Sequence, residues 1–440
     1  MIYKNSKYNF AFPCDTGKVG EQVLYNARTT SLSILDKQHA DVFNDFCKNE
    51  TQISDKEFEQ QLFKCGCIVP ENVDEKQLLQ LRLYQTRFNS DHLTLTIAPT
   101  MNCNFRCVYC FEANNLSNNK VMDESVQQAI IELARGKMKT IQALHIVWYG
   151  GEPLLAMDVI EKLSTELIKM AEENNVTYDA LMISNGYFLT KDVAQKLSKY
   201  KVNSIQVTID GPKHIHDKRR ILAGGQGTFD KLISNLKESC GELQSISLRI
   251  NTDKDNQEEV DDVVNLLKEN GLESIYCYLG FVRNTDVYSL DRCFNMETYG
   301  KVQFDFAIKH GFSPLIDYPI NRANFCSADF YFNYSIDPDG YLYNCWNDVG
   351  NKDARVGSLF DEERANFNLE YFMKYILFDA TVDSQCAECK LLPVCMGGCP
   401  YRRINNDEHC TEKKYIIEEY LLACVKYLVD NQVTMDNSTA

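Results

Sequence analysis

From Leu93 to Leu279 the sequence alternates between strand-like and helix-like stretches, and no other feature narrows the fold as far. Apolar runs read as strands at Leu93–Ala98, Ala143–Trp148, Ala180–Ser184, Ser204–Ile209, Ser245–Ile250 and Ser274–Leu279. Helical periodicity fills the gaps at about 124–136, 156–173, 191–199, 228–239 and 256–270. Repeated strand–helix units imply parallel strands joined by right-handed crossovers. Six units fall short of a closed eight-stranded barrel, so an α/β fold with an incomplete barrel is expected. Such folds place chemistry at the C-terminal ends of the strands. The sequence agrees, because a loop of unusual composition follows nearly every strand.

The first strand runs into Cys103-Asn104-Phe105-Arg106-Cys107-Val108-Tyr109-Cys110, three thiols spaced C-x3-C-x2-C. Iron–sulfur clusters normally take four thiolates, so a set of three leaves one iron open to another ligand. A zinc knuckle is the competing reading. Gly150-Gly151-Glu152-Pro153 follows the second strand, and its glycines let backbone approach a ligand closely. Ser184-Asn185-Gly186 follows the third, offering a hydroxyl and an amide suited to a ribose. Asp210-Gly211-Pro212 and His216-Asp217-Lys218-Arg219-Arg220 follow the fourth, and the fifth ends Arg249-Ile250-Asn251. An arginine fork there suits a carboxylate.

The Cys loop, the GGEP loop and the DGP…HDKRR stretch together resemble the radical S-adenosylmethionine (SAM) family. The resemblance implies a partial (β/α)6 barrel in which Cys103, Cys107 and Cys110 hold a 4Fe–4S cluster. It also implies SAM contacts from Tyr109, Gly150, Gly151, Glu152, Pro153, Ser184, Asn185, Arg220, Arg249 and Asn251. No catalytic side chain is assigned beyond the cluster. In this family SAM is cleaved reductively to methionine and a 5′-deoxyadenosyl radical, which takes a hydrogen from the substrate.

A second constellation runs Cys326-x13-Gly340-x4-Cys345, then Cys386-x2-Cys389-x5-Cys395-x3-Cys399, then Cys410. Asp337-Pro338-Asp339-Gly340 supplies a tight turn between the first two thiols. A zinc ribbon is one reading. The spacing also resembles the SPASM pattern of radical SAM maturases, which implies two auxiliary 4Fe–4S clusters and three in all. By that resemblance Cys326, Cys345 and Cys399 hold the first, and Cys386, Cys389, Cys395 and Cys410 the second. A fourth ligand for the first stays open: Cys293, Cys277 or a substrate thiolate.

Residues 1–90 read as a winged-helix-like domain. Asn9–Phe12 and Val23–Asn26 pair as strands, a helix begins near Asp36, Ser54 with Glu57 forms a capping box, and Asp74–Phe88 is a Leu-rich helix. The arrangement resembles a leader-peptide recognition element, with a plain helical extension as the alternative. The expected organisation is therefore 1–90 leader recognition, 91–285 radical SAM barrel, 286–315 bridge, 316–430 SPASM domain and 431–440 flexible tail.

Composition limits the partners. The formal net charge of −16 leaves no basic footprint for nucleic acid or an anionic membrane. No apolar run reaches spanning length and the start has no secretory h-region, so the cytoplasm is expected. Eighteen Cys in a reducing compartment point to metal, and exposed clusters to an anaerobic host. The resemblance as a whole identifies the chain as a radical SAM/SPASM peptide maturase, an oxidoreductase. The implied partners are a ribosomal precursor peptide bound by its leader and an electron donor such as flavodoxin or ferredoxin. A thioether crosslink is the first expectation and a carbon–carbon link the second. An anaerobic sulfatase-maturating enzyme and a non-catalytic metal-binding regulator are the alternatives. Trp346 stands directly after Cys345, where the sulfatase maturases carry an Asp.

Overall fold

The computed structural model describes residues 2–49, 51–113, 120–361 and 367–431. Most of the tail expected at 431–440 lies outside them. The chain divides into two compact units, one built from residues 1–87, 296–326 and 378–440, the other from 88–295 and 327–377.

In the first unit, strands β1 (Tyr3–Asn5), β2 (Asn9–Pro13), β3 (Gln22–Asn26) and β4 (Ser31–Leu35) precede helices α1 (Lys37–Asn49) and α2 (Lys56–Lys64). Strand β5 (Ile68–Pro70) and helix α3 (Glu75–Arg87) follow. The expected strand pair is present: β2 and β3 run antiparallel with Phe10 opposite Tyr25, β4 extends the sheet, and β1 pairs with β5. The α2 cap differs from expectation. Asp55, not Ser54, is the N-cap, and its carboxylate accepts from the Glu57 and Phe58 amides. A carboxylate is at least as good an N-cap acceptor as a hydroxyl and favours the positive end of the helix.

Two cores stabilise this unit. Leu24, Phe43, Phe46, Phe58, Leu62 and Ile68 form one within the N-terminal segment. Tyr8, Tyr25, Leu79 and Leu83 share the other with Leu391, Leu392, Ile417, Leu421 and Val425. Arg87 closes it: its Nε and Nη2 donate to Asn324 Oδ1 at 3.0 and 2.9 Å, and Nη1 donates to the Phe378 carbonyl. Replacing this buried guanidinium with Met should strand both acceptors. We expect Arg87→Met to lower the midpoint of chemical unfolding, an effect of roughly 2–4 kcal/mol. An unchanged midpoint would show that water replaces the guanidinium.

The second unit is built on a nine-stranded sheet. The six expected strands are β6 (His92–Ile97), β8 (Ala143–Trp148), β9 (Thr177–Ile183), β10 (Val202–Thr208), β12 (Ser245–Thr252) and β13 (Tyr276–Phe281). They lie side by side in chain order, all parallel. Helices α4 (Glu124–Lys137), α5 (Met157–Glu173), α6 (Lys191–Lys199), α7 (Lys213–Arg219), α8 (Phe229–Ser239) and α9 (Val260–Glu269) fall between them. Near-continuous apolar runs such as Leu144 to Trp148 fit strands buried on both faces.

Two pairings were not visible in the sequence. Strand β14 (Asn333–Ile336) adds in parallel beside β6, and β15 (Tyr341–Tyr343) and β16 (Gly357–Ser358) continue antiparallel from it. The parallel sheet thus resumes inside the stretch assigned to the SPASM domain. Separately, β7 (Phe105–Cys107) pairs with β11 (Arg220–Leu222), as described next.

Candidate active site

The three-Cys loop leaves β6 at its C-terminal end and is strapped down at once. In the β7–β11 ribbon Cys107 lies opposite Arg220 and Phe105 opposite Leu222. The Val108 amide donates to the Arg219 carbonyl at 3.0 Å, and the Ala223 amide to the Asn104 carbonyl at 2.8 Å. The DGP…HDKRR stretch is therefore structurally part of the Cys loop. Sequence spacing could not show this, because the two strands are three residues each.

Burial pushes all three thiols up, Cys110 to about 12. The Glu152 carboxylate adds to the effect on Cys103, while Arg220 opposes it at Cys107. Bare thiols in this setting stay protonated, and a bound cation is what makes them ligating thiolates. Among the described residues no three His, Cys, Asp or Glu side chains close on a single ion. The thiols are close enough for Cys107 and Cys110 each to raise Cys103. Two buried donors beside the loop, Asn104 Nδ2 and Arg220 Nε, have no hydrogen-bond partner. Thiols for a cluster and spare donors for a carboxylate-bearing ligand are what a cluster with bound SAM would need.

Gly150 and Gly151 serve the loop first. A Cβ on Gly150 would meet the Thr100 carbonyl at 2.5 Å, and one on Gly151 would collide with the Asn102 carbonyl. Gly150 also has a φ of +113°. Both glycines admit the backbone that leads into the Cys loop. Glu152 then joins three loops. It is wholly buried, its amide donates to the Asn102 carbonyl at 2.8 Å, and its carboxylate takes Leu154 N at 3.1 Å, Ser184 Oγ at 2.9 Å and Asn185 N at 2.7 Å. Burial raises it to about 7, with those donors pulling the other way. Pro153 opens the short helical turn that follows. Asn185 passes the linkage on, donating to Asn104 Oδ1 at 2.8 Å and to Cys103 Sγ at 3.8 Å.

The remaining expected contacts gather around Tyr109. Its hydroxyl donates to Asp210 Oδ2 at 2.6 Å and accepts from Arg220 Nη1 at 2.8 Å and Asn251 Nδ2 at 3.1 Å. Arg249 donates to Asn251 Oδ1 at 2.7 Å and lies along Gly280, where a Cβ would collide with it. The ten expected residues thus form two sets, one around Glu152 and one around Tyr109.

Sequence reasoning missed what holds the second set. Arg219 is a buried link between Asp210 at 3.2 Å and Asp253 at 2.8 Å, with its guanidinium 5.0 Å from the Tyr109 ring centre. Tyr288 also donates to Asp253, at 2.6 Å. His216 accepts from the Asp210 amide through Nδ1, and its Nε2 meets Thr228 Oγ1 at 3.0 Å. Burial and the two arginines hold it well below the usual histidine range, so it stays neutral. Asp217 caps α8 through the Thr228 and Phe229 amides. Charges at such spacing usually form a solvated face; here they build the floor of the site.

In the first unit the second Cys group is also drawn together. Asp383 caps the Cys386 amide, and the Cys399 amide donates to the His409 carbonyl at 3.1 Å. Gly398, at φ +68°, lies so close to that carbonyl that any Cβ would collide. Burial pushes Cys386 to about 12 and Cys395 to about 11. Cys395 and Cys410 add to the first, Cys410 and Cys389 to the second. Cys326 and Cys399 belong to this unit and Cys345 to the other. Cys293 packs with Val282 and Tyr288, and Cys277 is buried on β13.

Comparison with known proteins agrees with the fold. Residues 97–288 match the family model of the radical SAM superfamily. A cysteine-type anaerobic sulfatase-maturating enzyme of Clostridium novyi is 24% identical over 357 residues, 74% of this chain and 93% of that one. A structure of anSMEcpe with bound AdoMet and Kp18Cys peptide superposes with a TM-score of 0.58 at 20% identity, over 78% of this chain and 99% of that one. Streptococcus suis SuiB bound to precursor peptide SuiA gives 0.52 at 16% identity, over 92% and 97%. No helix among the described residues is long and apolar enough to cross a membrane.

Proposed function

We propose that this chain, which carries a radical SAM domain, modifies a ribosomally made peptide by closing a crosslink within it. The observation that carries the reading is the Cys103–Cys110 loop, bound by backbone to Arg220 and through Asn185 to Glu152. Bound there, SAM and a reduced cluster would supply a hydrogen-abstracting radical, and the auxiliary clusters an acceptor for the second electron.

The chain's own residues then position and shield. Tyr109, pinned on three sides, holds Arg220 and Asn251 in place for the carboxylate and ribose of the cofactor. Glu152 fixes the second and third loops against the Cys loop. Cys386, Cys389, Cys395 and Cys410, whose thiols raise one another, would hold an auxiliary cluster. Residues 1–90 supply a leader-binding surface, which raises the local concentration of the core peptide. An external flavodoxin or ferredoxin delivers the electron. The bond is a thioether in the first reading and carbon–carbon in the second.

The likeness of the curated relatives favours a second reading, formylglycine formation in a sulfatase. One experiment separates them. The enzyme is coexpressed anaerobically with the precursor encoded by the neighbouring reading frame, and separately incubated with a Cys-containing sulfatase peptide. Loss of two hydrogens from the precursor, with fragmentation blocked between two residues, supports the crosslink. Aldehyde formation in the sulfatase peptide alone overturns it in favour of the second reading.

A further inference from the structure

The C-terminal helix, Lys413–Asp430, starts against the usual rule. The N-terminal end of a helix is positive and favours acidic side chains. This first turn holds none and opens instead on two lysines. A local rule broken in this way marks a place where something else compensates. For Lys413 the compensation is in view. The residue is buried, its Nζ donates to Asp317 Oδ2 at 2.6 Å, and it lies 4.2 Å from the Tyr420 ring centre.

Lys414 has no such acid. Among the described residues no carboxylate pairs with it, and its Nζ donates to Cys410 Sγ at 3.5 Å. Cys389 and Cys395 are close enough to act on it as well. The start of the helix works in the same sense, because the Thr411 amide, with that of Gly397, acts on the Cys395 sulfur against its burial. A lysine and the positive end of a helix thus converge on the thiols of the second Cys group. Both call for an anion. Thiols pushed up by burial do not supply one, whereas thiolates that hold a metal do.

We propose that Lys414 sets how readily the auxiliary cluster at Cys386, Cys389, Cys395 and Cys410 takes an electron. This rests on the reading of these four thiols as an iron–sulfur site that accepts an electron during crosslinking. Hydrogen bonds to the ligand sulfurs and nearby charge set the potential of such clusters. A cation beside Cys410 favours the state with one more negative charge, so Lys414 raises the potential. It acts through a ligand and not on the substrate, and its signature is therefore a potential rather than a rate.

Anaerobic potentiometric titration of the holoenzyme, followed by electron paramagnetic resonance, reads that signature. We expect Lys414→Met to keep its irons and to lower one midpoint, cutting the ratio of reduced to oxidised cluster at a fixed potential about fivefold. At 59 mV per tenfold for one electron, that is roughly 40 mV. Lys414→Arg should stay near the unaltered protein, and Lys414→Glu should fall below Lys414→Met. The wave that moves should persist when Cys103, Cys107 and Cys110 are replaced by alanine, and be lost in Cys389→Ala. Midpoints unmoved in both Lys414→Met and Lys414→Glu overturn the proposal. Loss of about four irons in Lys414→Met overturns it too, since Lys414 would then be only a support for the loop. If the midpoint moves as expected but no peptide is ever crosslinked, the role of Lys414 stands and the proposed function falls. If peptides are crosslinked and the midpoints stay fixed, the converse holds.

Discussion

Replacing Cys103, Cys107 and Cys110 together with alanine will abolish reductive cleavage of SAM and leave about eight of about twelve irons, as expected for one cubane lost of three. All three thiols sit on one short loop whose backbone is fixed by β11 and whose first thiol takes a hydrogen bond from Asn185. None of the other Cys groups lies on this loop, so nothing substitutes for them. The thiols Cys386, Cys389, Cys395 and Cys410 have their own local scaffold in Asp383, Gly398 and His409, so their irons should be untouched. Iron analysis and 5′-deoxyadenosine formation under anaerobic conditions check both halves. Tightly bound zinc with almost no iron in the unaltered protein would sink the cluster reading altogether.

The central fold was legible because parallel strands buried on both faces leave an unmistakable apolar rhythm. All six strands, β6 to β13 without β7 and β11, lie where the rhythm placed them, to within a few residues. Strand β14 escaped because Asn-Tyr-Ser-Ile is short and polar, and only its neighbour β6 makes it a strand. The β7–β11 ribbon escaped because long-range pairing of three-residue strands has no local signature. The site was legible as residue types but not as roles. Glycine at 150 and 151 signalled close approach, and the carbonyls of Thr100 and Asn102 are one such approach that spacing alone could not name. Arg219 and Arg220 are indistinguishable in sequence. In the structure the first is spent on Asp210 and Asp253, and the second keeps a free Nε beside the Cys loop.

Glu152 should prove as critical as the thiols, although it touches no metal. Truncation to alanine removes the one acceptor shared by Leu154 N, Ser184 Oγ and Asn185 N, all inside a water-poor site. Each stranded donor costs about 1–3 kcal/mol, so the whole loss should be roughly 3–5 kcal/mol after partial relaxation. Asn185 would then no longer hold Asn104, and the Cys loop would lose its tie to the third strand. We therefore expect Glu152→Ala to lower the unfolding midpoint and to cut SAM cleavage at least tenfold even in protein reconstituted with iron. Glu152→Gln separates charge from shape. The folded-state pKa of about 7 lies above the ordinary value of 4.5. A raised carboxyl binds its proton more tightly in the folded state, so its contribution is fully present below about 4.5 and is lost as pH rises toward 7. At about 1.4 kcal/mol per unit, the span is worth up to roughly 3 kcal/mol. Glutamine cannot titrate, so the stability deficit of Glu152→Gln relative to the unaltered protein should be largest near pH 5 and shrink by pH 7.5. The other buried carboxyls, Glu112 and Asp348, titrate alike in both proteins and cancel in the difference. A deficit that stays constant or grows with pH would mean that the three donors hold Glu152 ionised throughout, and that it is the charge, not the carboxyl's shape, that binds the loops together.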